Sequence, residues 1–198
     1  MDDLEEGPTV PVLFLGDPGC GKSTFLAKLS SGSSSIAKPI SPSNPLPLLR
    51  DYDQPYVYNI RMYNRPYRFE LYDTASPDNY TLLKPDFIII CYDINDRRTL
   101  ENVVDIWSHQ VSTTWLSEKE EIPVALLGLK RDLRVEKPGV IYPQEAHVIA
   151  QELRCDMYAE CSAITGELMT EVFEDIARRA ARTTTEAGGR TEMNCSVM

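Results

Sequence analysis

The chain reads as an α/β domain: a mostly parallel sheet with one antiparallel edge hairpin and helices on both faces. Three observations predict this. Short apolar runs alternate with stretches of helical periodicity along most of the 198 residues. Two of the runs, 87–92 (FIIICY) and 122–127 (IPVALL), are almost unbroken, as suits parallel strands buried on both faces. The octapeptide Gly16-Asp17-Pro18-Gly19-Cys20-Gly21-Lys22-Ser23 matches the phosphate-loop spacing G-x-x-x-x-G-K-[ST] and lies between a strand-like and a helix-like run.

The elements follow in order. Residues 10–15 form a buried strand broken by Pro11, and 24–29 read as the first turns of a helix. Residues 30–55 are rich in Ser and Pro, which predicts a long extended loop. Residues 56–63 and 67–72 alternate with period two, and Asn64-Arg65-Pro66 between them reads as a hairpin turn. The runs 87–92 and 122–127 are the next strands, and 157–161 is the last. Helical spacing appears over 99–111, 144–153 and 165–182; in the last, Leu168, Val172, Phe173, Ile176 and Ala180 share one face suited to core packing. We divide the chain into an acidic extension (1–8), one domain (9–182) and a polar, flexible tail (183–198).

Composition narrows the function classes. A hydrophobic fraction of 42% supplies a full core. The net charge of −10 opposes non-specific nucleic-acid binding, which needs a basic face. The N-terminus lacks the apolar run of a signal peptide, and no apolar stretch is long enough to span a bilayer. The five cysteines show neither metal nor disulfide spacing, so a reduced, cytosolic setting is expected.

Four motifs carry chemistry. In the phosphate loop, backbone N–H groups and a helix N-terminus favour a triphosphate. Lys22 would reach the β- and γ-phosphates and the Ser23 hydroxyl would hold Mg²⁺. Asp73, in Asp73-Thr74-Ala75 at a strand's C-terminal end, is placed to hold Mg²⁺ through water. In Lys130-Arg131-Asp132, the Asp132 carboxylate would accept from guanine N1–H and the 2-amino group, while the Lys130 stem lies along the base. Glu160-Cys161-Ser162-Ala163 follows the last strand, where a backbone N–H would meet guanine O6.

These motifs, in this order and on these strand ends, resemble the small GTPases of the Ras superfamily. Gly16-Asp17, Cys20-Gly21-Lys22, the Leu133-Arg134 pair and Tyr158-Ala159-Glu160-Cys161-Ser162-Ala163 are most similar to the Rho branch. The resemblance covers 8–182 and the last four residues. It implies a P-loop GTPase fold with a six-stranded sheet, and a monomer working with effector proteins and with exchange or activating proteins. It implies GTP or GDP with Mg²⁺ as ligands, the nucleotide held by residues 16–24 (through Thr24), Asp73, Lys130, Asp132, Ser162 and Ala163. The extra helix usual in Rho proteins after Lys-x-Asp is not expected, since only 133–142 precedes the next helix.

Four departures bear on switching and hydrolysis. Pro18 stands where the family usually has Gly, and crowds the γ-phosphate with a ring that lacks an N–H. Ser76-Pro77 replaces Gly-Gln, so Pro77 cannot orient the attacking water and no catalytic residue is assigned. No Thr occurs between Thr24 and Thr74 to serve as the Mg²⁺-binding Thr of the first switch; Ser41 or Ser43 are the stand-ins considered. Leu129 replaces the Asn or Thr before Lys-x-Asp and cannot make polar ties to the phosphate loop, so guanine preference should survive with lower affinity.

The C-terminus, Cys195-Ser196-Val197-Met198, fits C-a-a-X with farnesyl on Cys195. One lipid with few basic residues upstream gives weak, reversible attachment to the cytoplasmic face of a membrane. The expectation is thus a guanine-nucleotide switch with slow or absent hydrolysis. A nucleotide-weak interaction scaffold is the alternative, supported by the missing Thr and by Leu129. A P-loop ATPase or kinase is a third option, disfavoured by Asp132 and by the single-domain size.

Overall fold

A computed structural model of the chain describes residues 7–62, 64–73, 80–116 and 122–183. Six strands form one sheet in the order β2-β3-β1-β4-β5-β6. They are β1 (Thr9–Gly16), β2 (Tyr56–Met62), β3 (Arg65–Asp73), β4 (Phe87–Asp93), β5 (Val124–Leu129) and β6 (Met157–Glu160). Only β2 and β3 pair antiparallel; the other neighbours run parallel. The helices are α1 (Lys22–Ser30), α2 (Ser33–Ile36), α3 (Arg97–Asn102), α4 (Ser108–Thr114), α5 (Pro143–Glu152) and α6 (Met169–Ala181).

Every residue of β4 and β5 is buried, which explains their unbroken apolar character. Two apolar clusters cover the two faces. Phe25 and Leu26 of α1 and Val172, Phe173 and Ile176 of α6 pack on Val12, Phe14, Phe69 and Ile89. Leu100, Val103, Val111 and Ala146 pack on Leu13, Leu15, Ile88 and Leu126. This architecture is the P-loop GTPase fold that the motifs imply.

Several boundaries differ from expectation. Pro11 does not break β1: it pairs with Glu70 on one side, and pairing to β4 begins only at Val12, so the proline sits where β1 has no ladder partner on its other side. The hairpin closes at Met62↔Arg65 and Asn64 takes φ 63°, so Arg65 and Pro66 belong to the strand rather than to the turn. The 30–55 segment is not uniformly extended. It holds α2, a single bridge between Ser41 and Asn44, and a 3-10 turn at Asp51–Asp53. The last helix starts at Met169, because the Ser162 hydroxyl and carbonyl take the Thr165 and Gly166 amides into a turn. Leu168, with φ 57°, is therefore 39% exposed and off the core face. Between Leu133 and Pro143 there is no helix, as expected.

Residues 74–79, and with them Ser76 and Pro77, lie outside the described residues. So do most of the N-terminal extension, 1–6, and the tail beyond 183 with Cys195. Among the described residues no helix is long and apolar enough to cross a membrane.

Candidate nucleotide-binding site

The chain just at or after the C-terminal ends of β1, β3, β5 and β6 carries the predicted site residues. At the end of β1 the chain enters the loop 16–23. Gly16 has φ 135°, and a Cβ there would lie 2.3 Å from the Cys91 carbonyl oxygen of β4. Gly21 has φ 117° where the loop turns into α1. Only glycine meets both demands without strain. Pro18 and Gly19 form the exposed tip, Cys20 is buried, and Thr24 is half-buried on the first turn of α1.

Lys22 is buried, and its ammonium donates to the carbonyls of Gly16 at 2.8 Å and Asp17 at 3.1 Å. It lies 4.0 Å from Asp73 Oδ1. The Ser23 hydroxyl donates to Asp73 Oδ2 at 2.6 Å, so the structure brings the two candidate cation ligands together from β3 and α1. Asp73 Oδ1 is buried and has no hydrogen-bond partner. A buried carboxylate oxygen is costly to leave unpaired. One unpaired carboxylate oxygen beside a hydroxyl fits a Mg²⁺ ion, which takes one or two protein oxygens and completes its shell with phosphate and water.

The second loop is Lys130 to Leu133. Lys130 adopts φ 61° and its ammonium donates to Asp93 Oδ2 at 2.7 Å and to the Gly19 carbonyl at 2.7 Å. Leu129 is 2% exposed and packs on Gly21. As expected, Leu129 makes no polar tie to the phosphate loop and adds only an apolar contact; the polar tie between the two loops comes from its neighbour Lys130. Asp132 is exposed, and its Oδ1 accepts from the buried Ser162 hydroxyl at 2.5 Å. Ala163 follows, buried, beside this pair. Arg131 N–H donates to the Cys161 carbonyl at 3.1 Å, joining the third loop to the second.

Glu160 holds these loops from below. It is buried, forms a two-pronged pair with Arg134, and accepts from the Tyr158 hydroxyl. Arg131 lies 3.7 Å away. Burial pushes the Tyr158 and Tyr92 phenols up, and the carboxylate adds to this. The strand β6 end is thereby locked to the chain after Asp132.

Ser41 and Ser43 do not reach the candidate cation position. Their hydroxyls lie 3.0 Å from each other, exposed. From the 30–55 segment it is Gln54 that contacts Asp73: its Oε1 accepts from the Asp73 backbone N–H at 2.9 Å. Sequence pattern gave no signal for Gln54 or Asp93, and it named Ser162 as a nucleotide contact but not as the partner of Asp132, because each of these contacts joins residues far apart in the chain. Elsewhere, a groove of about 410 Å³ lies between β2 and α6 and a cavity of about 610 Å³ beside α4. Neither is lined by residues of these loops.

The sequence profile of the Ras family matches residues 11–182, spanning every one of these loops. The chain belongs to the Ras family. Its relatives include the GTP-binding protein rho2 of Schizosaccharomyces pombe, 25% identical over 94% of each chain. The GTP-binding protein RHO1 of Candida albicans is 28% identical over 86% of this chain and 87% of its own. The human Rho-related GTP-binding protein RhoD is 26% identical over 89% and 87%. Within the family this is a divergent, Rho-like small GTPase.

Proposed function

We propose that the chain binds guanine nucleotide at the phosphate loop, with Asp132 as the base-reading group, and acts as a Rho-like signalling switch that hydrolyses GTP slowly or not at all. The observation that carries the reading is the convergence of Lys22, Ser23 and Asp73 at one end of the loop and of Lys130, Asp132 and Ser162 at the other. Lys130 bridges the two ends through Gly19. Ser23 and Asp73 would hold Mg²⁺, which would neutralise charge on the β- and γ-phosphates.

The chain's own groups do the rest. Lys22 turns from its carbonyl partners toward the phosphates. Lys130 covers one face of the base, and Ser162 orients Asp132 toward the base edge. Guanine offers the carboxylate two donors; adenine does not. Pro18 and Pro77 leave the attacking water without an orienting amide, so the GTP form persists. Effector proteins then read that form, and a farnesyl on Cys195 tethers it loosely to a membrane.

Titration with fluorescent GDP and ADP tests the reading. We expect a clear preference for GDP in the unmodified protein and its loss in Asp132→Ala. Equal affinities in the unmodified protein would refute the assignment. The scaffold alternative is not favoured, because the two loops keep their mutual polar tie despite Leu129.

A further inference from the structure

We infer that Asn102 and Trp107 are positioning residues for the phosphate loop, acting through the Asp17 carboxylate. The inference rests on the nucleotide reading above. Asn102 Nδ2 donates to Asp17 Oδ2 at 2.6 Å, and Trp107 Nε1 donates to Asp17 Oδ1 at 2.8 Å. Both oxygens of one loop carboxylate are thus held from one helical segment, which packs over β1 and β4.

A regular α-helix cannot make this arrangement. Residues five apart on it point about 140° away from each other. Here Val103–Trp107 is a π-turn between α3 and α4, with Ser108 N–H donating to the Val103 carbonyl five residues back. That wider turn brings residues five apart round to one side, so Asn102 and Trp107 meet the same carboxylate. A π-turn is rare, occurs mostly as a single turn inside an α-helix, and is frequent at functional sites. The helical periodicity of 99–111 reads as one uninterrupted α-helix and gives no warning of it.

Asp17 connects two directions. Its side chain points to the helix, while its carbonyl accepts from Lys22 Nζ at 3.1 Å and from Cys20 N–H at 3.3 Å. Pro18 comes next and has a fixed φ, so the peptide between them has little freedom to reorient. A free carboxylate beside the phosphates would repel them. Two N–H donors draw it toward the helix, and the charge-assisted bonds keep it there. If the donors are lost, the carboxylate swings toward the phosphates and the loop relaxes. Neither donor reads the base, so the effect falls on nucleotide retention and leaves selectivity alone.

The test is dissociation of fluorescent GDP from the full chain. Asn102→Ala and Trp107→Phe should each release it roughly two- to thirty-fold faster, the range seen for couplings through residues that do not touch the ligand. The preference for GDP over ADP should not change. Asp17→Ala combined with Trp107→Phe should release no faster than Asp17→Ala alone, because the donor then has no acceptor to lose. Additive effects, or unchanged release in both donor variants, would overturn the inference.

A second readout needs no change at the loop's donors. The chain has two tryptophans, so Trp115→Phe leaves Trp107 as the sole indole. Its emission should shift when GDP leaves, and the shift should vanish in the Asp17→Ala background. An unshifted emission would contradict the coupling. Failure of the underlying reading is recognised separately: the unmodified protein then retains no labelled GDP at all, and the inference falls with it.

Discussion

The base-reading role proposed for Asp132 rests on its carboxylate being held by Ser162. The carboxylate has one oxygen occupied by a buried hydroxyl and is otherwise exposed at the mouth of the site. Replacing Asp132 by Ala leaves the guanine donors unpaired, at about 1–3 kcal/mol. Calorimetric titration should show GDP affinity falling about ten- to a hundred-fold while ADP affinity stays constant. Lys22→Ala is harsher, since Lys22 is the motif's own cation. The expected outcome is a folded protein that no longer retains GTP on a filter; retention at the unmodified level would contradict the phosphate-loop role. The thiols make a pH prediction. Burial raises Cys20, Cys91 and Cys161, and pushes Cys155 up to about 11. The thiolate is the reactive form. Alkylation of Cys155 should therefore be slow at pH 8 and rise about tenfold per pH unit until about pH 11, as followed by peptide mass spectrometry. A plateau near pH 8 would contradict the raised value. At this scale the sequence displayed the motif residues clearly, because spacing alone defines a phosphate loop and a Lys-x-Asp turn. It could not display Gln54 or Asn102, whose roles depend on contacts across 19 and 85 positions.

Among the elements, the parallel strands were the most legible, since burial on both faces leaves apolar side chains throughout β5 and along β4 up to its closing residue, Asp93. Turns were less so. The prediction at Asn64 to Pro66 followed proline, whereas the ladder continues to Met62↔Arg65 and places Pro66 within β3. Leu168 followed helical periodicity, but a competing local turn at Ser162 delayed the helix. The lock between β6 and the chain after Asp132 is also an element-level device. The side chains of Arg134 and Glu160 are 17% and 7% exposed. Removing one partner leaves a buried charge, at about 3–5 kcal/mol. Arg134→Ala should lower the unfolding free energy by roughly that amount in urea titration and weaken GDP binding as the loops part. A loss below about 1 kcal/mol would place the pair among ordinary surface bridges. Arg97 and Glu145 are such a bridge, both more than a third exposed. Arg97 lowers the Glu145 carboxyl below its usual range, so the small stability it adds is present at neutral pH and is lost as pH falls through that lowered value.

For the whole molecule, the Ras-family fold supplies the cradle, and the departures at Pro18 and Pro77 are proposed to set how long the nucleotide stays intact. Intrinsic hydrolysis in such proteins is on the order of 10⁻⁴ s⁻¹, and an arginine finger adds powers of ten only with the water-orienting Gln in place. Phosphate release from preloaded protein should run at or below that rate and respond little to activating proteins of the Rho type. Gly at positions 18 and 76 with Gln at 77 should raise it. The proposed membrane tether is tested separately: mass spectrometry should find farnesyl on Cys195, and Cys195→Ser should shift the protein away from membranes. The most direct test of the central claim is to denature the protein purified from its own cells and identify the released nucleotide by chromatography. The account predicts GTP, in near-stoichiometric amount and in excess over GDP. An adenine nucleotide, or no nucleotide at all, would contradict it.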